Sequence, residues 1–215
     1  MRFEVIDHPL VAHKLRLLRL KSTPTETFRV VTNEIVSLLA YEATRNVKTD
    51  IVDVETPLCV TKGVHLSTNP RPIIVPVLRA GLGMLDGMIH SMPMAEVGFL
   101  GIRRNEETLE PITYANRLPD HLTGRQCYII DPMLATGGTL IDTVNYLVER
   151  GATDITAICI LAAPEGVAAL RKCAEKHENV RLDVFVAALD EKLNEQGYIV
   201  PGLGDAGDRL YGFVD

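Results

Sequence analysis

The sequence predicts an α/β fold with a mostly parallel central sheet flanked by helices, and three observations predict it. Short, predominantly apolar runs at residues 73–78, 127–131, 155–163 and 182–189 have the length and hydrophobicity of buried strands, the last two apolar enough to be buried on both faces. Segments of helical periodicity lie between these runs, so the strands are joined by crossovers that make neighbours parallel. Glycine-rich turns follow two of the runs, where open parallel sheets gather their ligands. With 215 residues, 47% of them hydrophobic, the chain can bury one full core, and residues 1–215 read as a single domain.

Taken in order, the first elements are helical. Leu15, Leu17, Leu18 and Leu20 mark an N-terminal helix that either forms a subunit interface or caps the core. Thr23-Pro24-Thr25-Glu26 is expected to open a second helix as a capping box, with Phe28, Val31, Ile35, Leu38 and Leu39 following at helical spacing. Residues 49–72 carry no signal beyond that of an outer strand pair. A buried strand is expected at 73–78 and a helix at 82–92. A further strand at 97–102 is expected to pair with residues 112–116 across a polar turn.

After the strand ending at Ile130, the residues Leu140, Ile141, Val144, Leu147 and Val148 form an amphipathic stripe that Gly151 can terminate. Strands at 155–163 and 182–189 enclose a helix at 164–177 that begins with a proline, as first helical turns allow.

Composition excludes several classes. No segment approaches the roughly 20 continuous apolar residues of a membrane span. The first residues carry acids and a proline where a secretory signal would be apolar, so a cytoplasmic protein is expected. A net charge of −6 argues against a nucleic-acid surface, although a few focused arginines can still hold a small anion. Cys59, Cys127, Cys159 and Cys173 are widely spaced and read as buried free thiols. His8, His13, His65, His90, His121 and His177 are scattered and read as structural.

The chemistry concentrates in four segments. Cys-Tyr-Ile-Ile-Asp-Pro-Met-Leu-Ala-Thr-Gly-Gly-Thr-Leu, residues 127–140, runs a strand into an acid and then through small residues into a helix. Thr136, Gly137, Gly138 and Thr139 offer backbone N–H groups, hydroxyls and a helix's positive end to a phosphate. Asp131 repels phosphate, so its partner is expected to be ribose hydroxyls or a metal ion riding on phosphates. Val-Leu-Arg-Ala-Gly-Leu-Gly-Met, residues 77–84, is a second anion loop in which Arg79 supplies a forked donor.

Residues 101–111 form a charged connector that carries Arg103 and Arg104 and has the length of a lid. Residues 197–209 hold glycines at 197, 202, 204 and 207 and a proline at 201, too many for a helix or strand. An ordered loop with exposed main chain is expected there, and its amides and carbonyls can read the edge of a planar base.

In order and separation, these segments resemble the type I phosphoribosyltransferases, with 131–138 and 197–209 resembling the uracil phosphoribosyltransferase branch. The resemblance covers residues 79–209 and extends more weakly to His8-Pro9-Leu10-Val11 and residues 37–43. It implies that Arg79, Arg104, Asp131, Pro132, Met133, Leu134, Ala135, Thr136, Gly137, Gly138, Thr139 and Asp205 bind 5-phosphoribosyl 1-pyrophosphate (PRPP). Ile199, Gly204, Asp205 and Ala206 would bind uracil, and Arg104, Asp131 and Asp205 would serve catalysis. The implied cofactor is Mg2+, held mainly through PRPP rather than by protein ligands. Other implications are a hairpin lid, a small hood for the base at 197–215, a homodimer or higher homo-oligomer, and GTP as an effector.

Two departures narrow the match. Pro132 replaces the second acid of the wider family, and Ala135 stands where purine-specific members carry an acid thought to handle a base proton. The expected reaction joins uracil to PRPP, giving UMP and diphosphate in pyrimidine salvage. One alternative is a PRPP-sensing regulator on the same scaffold, which would need a basic surface for DNA or RNA. A dinucleotide-binding oxidoreductase ranks last, because residues 82–87 contain no G-x-G-x-x-G.

Overall fold

The structure is a computed structural model that describes residues 1–104 and 111–212, with backbone alone at 102–104 and 111. In chain order the elements are β1 (Arg2–Val5), α1 (Pro9–Arg19), α2 (Thr25–Ala43), β2 (Thr49–Glu55), β3 (Val60–Leu66) and β4 (Ile73–Pro76). A 3-10 helix (Ala80–Met84) then leads into α3 (Leu85–Ser91), β5 (Glu96–Val97), β6 (Phe99–Arg104), β7 (Pro111–Arg117), β8 (Gln126–Ile130) and β9 (Met133–Leu134). The remainder comprises α4 (Gly138–Glu149), β10 (Asp154–Ala162), α5 (Pro164–Glu175), β11 (Arg181–Leu189), β12 (Lys192–Leu193), β13 (Ile199–Val200) and α6 (Ala206–Tyr211).

The main sheet runs β1-β11-β10-β8-β4-β5, with the short β9 added beside β10, and its ladders are parallel. Its strands are apolar on both faces because both faces are covered. Within β8, Tyr128 and Ile130 join the core under α1, α2 and α3, while Cys127 and Ile129 join the core under α4 and α5. Successive side chains of a strand point to opposite faces, so one run of five residues feeds two cores.

Sheet order also locates the site. The chain passes from β4 outward to β5, then returns across β4 to β8 and continues outward to β10 and β11. Strand order therefore reverses between β4 and β8, and the loops leaving their carboxyl ends diverge to open a crevice. Those loops carry Arg79 and Asp131.

Several expectations are corrected. Strand β1 was not anticipated; it is a half-exposed edge whose Arg-Phe-Glu-Val alternation is too short to stand out, paired through Phe3 with Val184. Thr23 does not cap α2: Pro24 occupies the N-cap position, and the Thr23 hydroxyl donates instead to the Leu17 carbonyl at 2.6 Å, closing the turn after α1. The helix expected at 82–92 begins as a 3-10 turn. Cys59 is exposed beside a turn built by Thr56, unlike the three other cysteines. Leu15 and Leu18 of α1 are buried, which favours the core-capping role of this helix over an interface.

Residues 49–66 do form an outer strand pair, with Ile51 opposite Val64 and both highly exposed. The expected hairpin at the lid is present as the antiparallel pair β6–β7, with a bulge between Gly101 and Ile102. Its connector, 105–110, lies outside the described residues.

Candidate active site

The acid at the centre of the crevice is fixed by main chain. Asp131 follows β8 directly and donates its own N–H to the Ile158 carbonyl of β10 at 3.2 Å. Its carboxyl group is pushed up to about 7 by burial, against the opposing pull of the Met133 N–H. A carboxyl poised there ionises readily once ribose hydroxyls or positive charge replace the lost water.

The loop that follows is more ordered than an open cradle. Pro132 is buried, and its carbonyl accepts from the N–H groups of Ile160 and Leu161 at 2.9 and 3.0 Å. Met133 and Leu134 pair with Leu161 and Ala162 as β9. Ala135 is half-buried, and its carbonyl would lie 2.3 Å from a Cβ on Gly166, so α5 packs tightly beneath it. Thr136 and Thr139 remain exposed on either side of Gly137, which caps α4 at φ +85°. The Gly137 N-cap offers α4 no side-chain cap, and the Gly138 N–H reaches only the Thr136 Oγ1 at 3.5 Å, a helix start open enough to suit a phosphate.

The second anion loop meets the first. Arg79 is exposed at the start of the 3-10 helix, after a cis Leu78–Arg79 peptide. Two residues later, Gly81 lies against Ile130, and Val77 donates to the Ile130 carbonyl at 3.0 Å. Gly83 lies against Leu210 of α6, where a Cβ would be 2.6 Å from a Leu210 methyl. The glycines of this loop thus bind it to the Asp131 strand on one side and to the C-terminal segment on the other. The backbones of Arg103 and Arg104 end strand β6; their side chains, and so the expected contact of Arg104, lie outside the described residues.

The C-terminal segment departs from a pure loop. Ile199 is buried in the short ladder β12–β13, and residues 206–211 form α6 despite their glycine. Asp205 makes that helix possible: it is exposed at the N-cap, and its Oδ1 accepts from the Asp208 N–H at 2.9 Å. Between them lies Gly204, exposed at φ +83° with open space where a Cβ would point, while Ala206 is buried. A cleft of about 650 Å³ borders this loop, lined in part by Arg19, Gly202, Gly204 and Arg209. Neither Arg79 nor Asp131 lines that cleft.

Two residues with a part in this arrangement were missed. Arg19 and Asp190 form a part-buried ion pair against Gly202, from positions 171 residues apart and without any motif. Nothing in the local sequence signals it. Among the described residues, no three His, Cys, Asp or Glu side chains gather to hold a metal ion.

The family model for uracil phosphoribosyltransferase matches residues 5–213. The chain belongs to the uracil phosphoribosyltransferase family. A uracil phosphoribosyltransferase from Leifsonia xyli subsp. xyli is 62% identical over 214 residues and is covered completely, as is this chain. One from Streptomyces griseus subsp. griseus is 60% identical over 215 residues, again with both chains covered in full.

Among solved structures, the AQ2163 protein from Aquifex aeolicus is 40% identical and superposes with a TM-score of 0.87 over 98% of each chain. A hypoxanthine-guanine phosphoribosyltransferase from Bacillus anthracis shares the fold with a TM-score of 0.51 at 11% identity, over 76% of this chain and 81% of that one. The resemblance drawn from the four segments therefore holds for the family and for the fold. The fold is that of the type I phosphoribosyltransferases.

Proposed function

We propose that this chain catalyses the transfer of the phosphoribosyl group of PRPP to uracil, giving UMP and diphosphate. The observation that carries this reading is the seam at Gly81 and Gly83, which presses the anion loop of Arg79 against Ile130, the residue before Asp131, and against Leu210 of the helix that follows the glycine-rich loop. Full-length identity of about 60% to curated uracil phosphoribosyltransferases supports it.

In this reading, Asp131 accepts from the ribose hydroxyls, and the first turn of α4 with Thr136 to Thr139 holds the 5-phosphate. Arg79 and Arg104 hold the pyrophosphate. The bond between the anomeric carbon and the pyrophosphate oxygen breaks as the bond to uracil N1 forms, and N1 gives up its proton to solvent. Positive charge near the leaving group and accurate placement of the base then supply most of the acceleration. The family resemblance brings Mg2+ with PRPP, and when bound it neutralises part of the pyrophosphate charge. Asp131 is a single carboxylate, which suits a cation already held by substrate oxygens.

The base is read by Ile199, Gly204, Asp205 and Ala206 largely through main chain. Residues 1–215 act as one domain, with 197–215 as the hood over the base. The protein works as a homodimer or higher homo-oligomer. The exposed apolar pair Ile51 and Val64 supports this, because a lone two-stranded hairpin is marginal in water and gains from cover. A cytoplasmic location and a GTP effector complete the reading, and the effector rests on the resemblance alone; no helix among the described residues is long and apolar enough to cross a membrane.

The test is chromatographic detection of UMP from uracil, PRPP and magnesium. UMP formed in step with diphosphate supports the assignment. PRPP binding without UMP would overturn it in favour of a PRPP-sensing regulator.

A further inference from the structure

Gly202 lies between Ile199 and Gly204, two of the proposed base-reading residues, and both polar groups of this glycine are held by one ion pair. Asp190, just past the end of β11, accepts the Gly202 N–H on Oδ2 at 2.8 Å. Arg19, the last residue of α1, donates from Nη1 to the Gly202 carbonyl at 2.8 Å. The two side chains grip each other as a fork, from Nη2 to Oδ1 at 2.5 Å and from Nη1 to Oδ2 at 2.8 Å. The Asp190 side chain is 4% exposed and that of Arg19 26% exposed, so the pair is largely out of water.

The clamp has no slack. Gly202 sits at φ +63°, and a Cβ there would meet the Ile199 carbonyl at 2.1 Å, so this turn permits only glycine. One residue on, Arg209 donates to the Leu203 carbonyl at 2.9 Å and to the Leu20 carbonyl at 2.8 Å while lying over the Phe28 ring. The end of α1 and the loop are therefore joined twice, by Arg19 reaching forward and by Arg209 reaching back. Asp190 is tied to the sheet as well, through its N–H to the Ala162 carbonyl at 2.8 Å.

We propose that Arg19 and Asp190 are positioning residues for base recognition: together they set the height and angle of the loop whose main chain reads uracil. A loop that recognises a base with backbone donors and acceptors cannot re-aim by changing rotamer, so its accuracy comes from what holds it. The fork geometry of arginine serves this use, since it satisfies a carboxylate and a carbonyl at once. The pair bonds to neither the 79–84 loop nor the 131–139 loop, so PRPP binding is expected to be affected only through Asp205 and less than uracil binding. The proposal rests on the assignment of 199–206 to the base.

The experiment compares Arg19→Met, Arg19→Lys and Asp190→Asn with the unaltered protein by steady-state kinetics for each substrate and by hydrogen exchange on the free protein. For Arg19→Met, the proposal expects KM for uracil to rise at least tenfold, KM for PRPP to rise by no more than about a third of that factor through Asp205, and the preference for uracil over cytosine to fall at least tenfold. Exchange across 199–206 should speed up at least tenfold while β10 is unchanged. Arg19→Lys should recover part of each effect. An unchanged KM for uracil, or a joint rise in both KM values with faster exchange in β10, would overturn the proposal. If Asp190→Asn fails to fold, the two Arg19 variants decide. If the unaltered protein makes no UMP, the assignment of function fails separately, and the exchange measurement still decides whether the pair holds the loop.

Discussion

A Cβ on Gly81 would lie 2.3 Å from the carbonyl oxygen of Ile130. The anion loop after β4 is thereby pressed against the last residue before Asp131, and the same carbonyl accepts the Val77 N–H at 3.0 Å. The proposed pyrophosphate and ribose sites share one rigid seam. Gly81→Ala is expected to force the loop away, at about 1–3 kcal/mol in stability. KM for PRPP should rise at least tenfold with little change in KM for uracil, as measured by thermal unfolding and initial rates.

Asp131 gives a pH signature. Its folded-state pKa of about 7 lies above the roughly 3.9 of an unfolded aspartate. The folded state therefore holds the proton more tightly, so the stability this group contributes is present below about pH 4 and is lost as pH rises to about 7. Asp131→Asn removes that loss: its Tm should match the parent's near pH 4 and exceed it at pH 8, by up to about 4 kcal/mol of unfolding free energy. Activity should fall at least a hundredfold in the same variant. In the parent, kcat/KM for PRPP should climb through an inflection near pH 7.

Asp205 holds two roles that one substitution separates. Asparagine caps helices as well as aspartate, so Asp205→Asn keeps the bond from the Asp208 N–H and the fold of α6. A loss of kcat of tenfold or more at unchanged Tm would assign the effect to charge near PRPP. A solvent isotope effect on the parent that disappears in this variant would instead make Asp205 the acceptor of the uracil proton, against its release to solvent.

Ile51 and Val64 face each other across β2–β3 and are 74% and 73% exposed. Replacing both with lysine should leave the core and Tm of the monomer intact and shift the mass measured by light scattering from dimer to monomer. An unchanged dimer would move the interface elsewhere.

The central strands and the helices between them were legible because burial on both faces leaves predominantly apolar runs, such as 127–130 and 155–162. The Asp131 and Arg79 loops were legible because their glycines and acid stand at strand ends. Other features depend on contacts the local sequence does not encode. Thr23 looked like a cap because its type and spacing fit, yet the carbonyl of Leu17 was nearer. Helix α6 was hidden by the glycine count, which the cap from Asp205 outweighs. Arg19 and Asp190 meet only because α1 docks at the end of β11, a tertiary fact with no local sign.

In the proposed reaction the main chain of residues 199–206 reads uracil. The most direct measurement is diphosphate release from PRPP and magnesium with uracil, cytosine, hypoxanthine or no base in parallel. Cytosine puts a donor where uracil has an acceptor, and a buried polar group left unpaired costs roughly 1–3 kcal/mol, so cytosine turnover should be lower by about tenfold to a hundredfold. Hypoxanthine and the control without base should release none. Comparable turnover of uracil and cytosine would contradict the claim.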